Sequence, residues 1–246
     1  MVKHASVWLL LLFGSWSHMA TGRVAQAQPV TDPHQTPTCH TAADLGYCHY
    51  PGPGPLLVLL TGLGNGMQSW PPTFLHALNR FAGVLIYDRR GYGRSAALRP
   101  VPVTAEAVAV DLHQLLERLH ISQPVVLFDA ASPFEPVADP RFQTQAQLTP
   151  GSTDDWENRG VDPSILQTRQ SPPFPPIPLV VLTATDHRSP EAFEQDWRHI
   201  QAQTAAQSPL GRQVMAQGSG HDIHNDQPDL VIDQVHQLVL QLRQGL

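Results

Sequence analysis

The stretch LLVLLTGLGNGMQSW (56–70) decides the fold. Its first five residues are an unbroken apolar run between the prolines of PGPGP (51–55) and the glycines of the next loop. A short run without alternation predicts a strand buried on both faces, and such strands belong to parallel sheets. The loop TGLGNG (61–66) then turns the chain sharply, and its glycines let backbone N–H groups face a common point. At the carboxyl end of a parallel strand, where α/β sheets hold their sites, such a loop suits a developing oxyanion. A plain tight turn would use the same glycines. The loop has neither the Lys-Ser/Thr of a P-loop nor G-x-G-x-x-G spacing, so nucleotide binding is not expected.

Working outward, the same pattern recurs. GVLIYD (83–88) is a second buried strand, followed by the turn RRGYGRS (89–95). Between the two strands a helix is expected near 72–81. Thr104 can cap a helix over 105–120, whose Val108, Leu112, Leu115, Leu116 and Leu119 share one face. VVLF (125–128) and PLVVLT (178–183) are further strands, and RQVMA (212–216) a last one. A helix over 190–206 takes Ser189 as cap and Pro190 in its first turn. Asp226 is expected to cap the final helix, with Pro228 near its start and Val231, Val235, Leu238, Val239 and Leu242 on its apolar face. Strands alternating with helices predict an α/β fold, a mostly parallel sheet flanked by helices, as one domain over 56–246. Residues 134–177 show no clear periodicity and read as an irregular, cap-like excursion.

The chain has 246 residues, 41% hydrophobic and 15% charged, enough for one domain with a substantial core. Its formal charge of −6 argues against non-specific nucleic-acid binding. The first 27 residues carry the marks of a secretory signal: Lys3 and His4, the apolar run VWLLLLF (7–13), then AQA (25–27) as cleavage site. The run falls short of the roughly 20 residues that span a bilayer, so no transmembrane segment remains after its removal. A buried N-terminal helix is the rival reading. The mature chain would begin near Gln28 and be exported, periplasmic or extracellular. Residues 28–55 form an N-terminal extension. In an oxidising compartment its Cys39 and Cys48 are expected to pair, closing CHTAADLGYC. Their spacing with His40 and His49 matches no usual zinc pattern, and neither metal nor cofactor is expected.

Two further segments fall at strand ends. TATDH (183–187) offers Asp186, which could orient a histidine or simply cap a turn. GSGHDIHNDQPDLV (218–231) offers His221 between a strand and the last helix, available as a general base. His224 comes three residues later, and a metal pair there lacks a third ligand.

These features, in this order, resemble the α/β-hydrolase superfamily. LLVLLTGLGNGMQSW looks like its strand and oxyanion loop, with Thr61 where a histidine is common, and VLIYDRRGYGRSA like its D-x-R-G-x-G-x-S turn. TAEAVAVDLHQLLERLHISQPVVL looks like the helix and strand leading to the nucleophile. PLVVLTATDH, Trp197, Gln201 and GSGHDIHNDQPDLVIDQV look like the acid-to-histidine tail. The resemblance covers roughly 56–130 and 178–243. It implies hydrolysis of a small ester- or amide-type bond in a small-molecule substrate. His221 would be the base and Asp186 the acid, with Asp129 as alternative acid. The loop at Gly62 and Leu63 would supply the oxyanion hole through the Leu63 N–H.

The family's nucleophile elbow, G-x-S-x-G, should come directly after the strand at 125–128. PVVLFDAASP (124–133) stands there instead, and no G-x-S-x-G occurs in the chain. Ser132 cannot replace it. The next residue must donate its N–H to the oxyanion, and Pro133 has none. PVVL resembles the elbow strand, and DAASP resembles the segment after the next strand. The two abut where roughly 30 residues of βαβ unit belong. We read this as an internal deletion, either in the gene or in how its coding sequence was drawn. The sheet should then be short of one strand and the elbow helix, with apolar surface exposed near Val125–Phe128. The chain would be inactive or weakly active. Two alternatives stand beside this: a non-catalytic ligand-binding protein, or a hydrolase with Asp129 as nucleophile.

Overall fold

The computed structural model describes residues 7–12, 37–62, 64–97, 100–121, 125–129, 150–170 and 174–244. The strands are β1 (Val7–Leu12), β2 (Thr38–Ala42), β3 (Leu45–Tyr50), β4 (Leu56–Leu60), β5 (Gly83–Tyr87), β6 (Val125–Asp129), β7 (Leu179–Ala184) and β8 (Gly211–Ala216). They form one sheet in the order β2-β3-β5-β4-β6-β1-β7-β8. The pairings β4–β5, β4–β6 and β7–β8 are parallel. β1 lies antiparallel between β6 and β7, so these two also run parallel to each other. The carboxyl ends of β4 to β8 therefore open on one edge.

The unbroken apolar runs are explained by cover on both faces. Leu57 and Leu59 pack toward a cluster that includes Leu75, Leu78, Val231, Val235 and Leu238. These come from α1 (Pro72–Asn79) and α7 (Pro228–Arg243). Leu56, Val58 and Leu60 face the opposite way, toward Leu112 and Leu115 of α2 (Ala105–Arg118). α2 begins as its sequence predicts, with the Thr104 hydroxyl accepting the Ala107 N–H at 3.2 Å. Pro72 and Pro228 open α1 and α7, where a missing N–H costs nothing.

The structure departs from the sequence reading in several places. The excursion over 134–177 contains two helices, α3 (Thr153–Arg159) and α4 (Val161–Gln170). They were hidden because neither carries a regular apolar stripe; α3 is held by polar contacts, beginning with Ser152, whose hydroxyl accepts the Asp155 N–H. Pro190, not Ser189, stands at the cap of α5 (Glu191–Ala205). Asp226 does not cap the last helix. It ends the short α6 (Ile223–Asp226), and Gln227 precedes Pro228 at the cap. Residues 38–50, read as part of an extension, are built into the sheet: β3 pairs with β5 and β2 with β3. The Cys39–Cys48 disulfide joins directly opposed residues of that hairpin.

The largest departure concerns the N-terminal apolar run. The expected exposure at Val125–Phe128 is absent, with all four residues under 10% exposed. Val7–Leu12 occupies the sheet position beside them, pairing five residues with β6 and four with β7. An apolar run of strand length thus stands between β6 and β7, where the sequence reading expected the sheet to be one strand short.

Candidate functional site

The site residues proposed from the sequence lie on the edge where the parallel strands end. Thr61 and Gly62 leave β4. Asp129 ends β6, opposite Leu60, so its backbone stands beside that loop. Asp186 comes after β7, and His221 lies on the loop after β8. Leu63, Ser132 and Pro133 lie outside the described residues.

The acid and histidine loops are brought together through backbone. The Thr185 and Asp186 N–H groups both donate to the Ser219 carbonyl, at 3.2 and 3.0 Å. The Gly218 N–H donates to the Thr185 hydroxyl at 2.8 Å. This ties the Asp186 backbone to a residue two positions before His221, which is half-buried. The Asp186 side chain is exposed and closes a local turn, accepting the Arg188 N–H at 3.1 Å. The structure thus joins the two loops while the carboxylate of Asp186 takes the turn role. The next residue is the anchor: His187 is buried, its Nδ1 is 2.9 Å from Glu194 of α5, and its N–H donates to the same carboxylate.

Asp226 has a role that its position as a supposed cap concealed. Its carboxylate accepts the Gly220 N–H at 2.8 Å and the Ser219 hydroxyl at 3.3 Å, so it shapes the turn immediately before His221. His224 packs inward, with ring centroids 5.0 Å from Trp70 and 6.1 Å from Phe74. Trp70 in turn meets Phe128, the residue before Asp129, at 5.3 Å. Burial pushes the His224 imidazole below its ordinary value, against the opposing pull of Asp222 and Asp226. Its Nδ1 is buried without a hydrogen-bond partner among the described residues. A neutral ring is the state this aromatic setting favours. His221 and His224 therefore face different surroundings, and among the described residues no cluster of three metal-ligating side chains exists.

The glycine loop after β4 is gripped from below by the turn after β5. Asp88 is 1% exposed, and its carboxylate accepts the Met67 N–H at 2.7 Å and the Arg94 N–H at 3.0 Å. Gly93, at φ +47°, leaves room for that carboxylate where any Cβ would collide with it. Arg89 lies buried under the loop. Its guanidinium donates to the Thr61 carbonyl, to the Thr61 hydroxyl at 2.9 Å and to the Gly62 carbonyl at 3.0 Å. It also pairs with Glu157 of α3, at 2.7 Å through Nε and 3.0 Å through Nη2. Burial works against its charge, and the hydrogen bonds and charge of Glu157 more than offset this, so the guanidinium stays protonated. The Tyr92 hydroxyl lies 2.7 Å from both Asp154 and Glu157. Burial first, then the Glu157 charge, pushes its ionisation upward, so it stays a neutral phenol. Arg89 and Tyr92 sit within the quoted turn motif, but their partners come from α3, where the sequence offered no signal.

Comparison with known proteins agrees with this architecture. A family described as "alpha/beta hydrolase fold" matches residues 55–127. An uncharacterized protein YqjL of Bacillus subtilis is 23% identical over 210 residues, 72% of this chain and 81% of that one. A putative carbamate hydrolase RutD of Pseudomonas savastanoi is 42% identical over 69 residues, 28% of this chain and 26% of its own length. Among solved structures, an epoxide hydrolase from Vigna radiata superposes with a TM-score of 0.59 at 14% identity, covering 83% of this chain and 98% of that one.

Proposed function

We propose, from a chain that has the α/β-hydrolase fold and matches that family over residues 55–127, that it carries the base and oxyanion parts of a site for small ester- or amide-type substrates without the serine part. His221 is the general base, Asp186 or Asp129 its acid partner, and the Gly62–Leu63 loop the oxyanion hole. The observation that carries this reading is the double donation of the Thr185 and Asp186 N–H groups to the Ser219 carbonyl. It supports a working relation between the acid loop and the histidine loop, which a surface histidine would not need. With no G-x-S-x-G in the chain, such a site binds a small molecule with little turnover. We further propose export, on the strength of the N-terminal 27 residues; the Cys39–Cys48 disulfide supports an oxidising compartment.

The test is hydrolysis of a p-nitrophenyl ester by the full chain beside its His221→Ala variant. Equal, background-level rates are expected. Turnover that disappears in the variant would overturn the missing-nucleophile reading.

One observation favours a second reading. Asp129 ends β6 directly opposite Leu60, beside the loop that would hold the oxyanion. As a nucleophile it would attack the substrate carbonyl carbon, expel the leaving group and form an acyl-Asp129 anhydride. Water activated by His221 would then hydrolyse that anhydride. Mass spectrometry of the His221→Ala variant after incubation with substrate would detect the trapped adduct, and an unmodified Asp129 counts against this route.

A further inference from the structure

We propose that Arg89 is a positioning residue through which helix α3 sets the shape of the oxyanion loop, so that loop and helix loosen together. The inference rests on reading residues 61–66 as the oxyanion loop.

A guanidinium has five N–H donors in a fixed plane. Here three face loop acceptors, the Thr61 carbonyl, the Thr61 hydroxyl and the Gly62 carbonyl. The other two face the two oxygens of Glu157. Every donor is used, and the group is divided between the loop and a helix residue 68 positions away from Arg89 in sequence. A trans peptide places its C=O and the following N–H on opposite sides. By holding the Thr61 carbonyl, Arg89 turns the Gly62 N–H toward the other side of the loop.

The coupling comes from burial. Arg89 and Glu157 are each 7% exposed. If α3 withdraws Glu157, a buried cation loses its counter-charge, which is far less tolerable than losing the pair as a whole. The guanidinium must then reorient, and three loop acceptors lose their donor at once. A second tie runs in parallel. The Gly64 N–H lies 3.2 Å from the Tyr92 hydroxyl and 3.4 Å from Glu157, and Tyr92 reaches Asp154 one turn earlier on α3. Lysine could not substitute: its three donors on a single atom cannot span both sides.

Hydrogen exchange on the full chain tests this without requiring turnover. Glu157→Gln and Arg89→Lys are expected to speed exchange in the peptide 61–67 by about tenfold or more, together with 153–159. Arg159→Ala is the control. It removes an exposed guanidinium that pairs with Asp155 on the same helix and touches no loop atom, so 61–67 should keep its protection. Unchanged exchange at 61–67 in folded Glu157→Gln, or an equal effect in Arg159→Ala, overturns the proposal. Should Glu157→Gln fail to fold, Arg89→Lys carries the test alone: it keeps a cation beside Glu157 and removes the fork that reaches the loop. It is expected to speed exchange at 61–67, and no change there overturns the proposal likewise. Absence of ester hydrolysis leaves this test intact, and failure of the coupling leaves the hydrolytic reading standing.

Discussion

Deleting residues 1–27 puts the two readings of the N-terminal run into direct conflict. A removed signal leaves the sheet without β1. The gap would separate β6 from β7, two strands whose Val125–Phe128 and Leu179–Leu182 are all under 10% exposed. The ladder itself decides little. Nine paired positions at a net 0.5–1.5 kcal/mol each give on the order of 5–14 kcal/mol. Ordering six residues consumes roughly 6–12 kcal/mol. What remains is the burial of those eight residues of β6 and β7, which an open gap beside them would reduce. If six of those eight residues each lose one methylene's worth of burial, at about 0.8 kcal/mol, the loss is about 5 kcal/mol. That compares with about 5–15 kcal/mol for a whole domain. Urea titration of residues 28–246 beside the full chain should show the midpoint fall by about 2 M or more, given a slope of about 1–3 kcal/mol per molar. Size-exclusion should show association through the opened edges. A monomer with an unchanged midpoint would refute the reasoning. It would mean that β6 and β7 close on each other once the N-terminal run is gone, as an exported chain requires.

Other expectations are smaller in scale. Thr104→Ala removes the acceptor for the Ala107 N–H and should cost about 1 kcal/mol in urea unfolding; no loss would mean that solvent caps α2 equally well. Burial holds His224, and in the same way His49, below their ordinary value of 6.5. The unfolded chain then binds protons that the folded chain does not. Stability is complete above about pH 6.5 and falls as pH drops below it. A urea midpoint series from about pH 7.5 to 5 should show that slope, and His224→Phe should flatten it; an unaltered slope would assign the acid sensitivity elsewhere. Cys39→Ser with Cys48→Ser opens a loop with a sequence separation of 9. It should cost about 2–3 kcal/mol, read as a lower melting temperature that a reductant reproduces in the parent protein.

The elements legible in the sequence are those shaped by local forces. β4, β5, β6 and β7 announce themselves because strands buried on both faces must be apolar at every position, a pattern independent of partners. α2 and α7 were readable for the matching reason: one apolar stripe, one cap or proline. The family's turn and loop motifs were legible because backbone geometry forces glycine, as Gly93 shows beside the Asp88 carboxylate. The missed features are pairings over long separation. Nothing near Glu157 marks it as the counter-ion of Arg89, since its charge is neutralised only once α3 meets the turn after β5. Asp226 has the composition of a cap, yet a carboxylate at that point reaches back to Gly220 as readily as forward. The N-terminal run shows the limit most sharply. An apolar run of strand length has the same sequence whether it serves export or fills a gap. Only its pairing with β6 and β7, which no local pattern announces, gives it a place in the sheet.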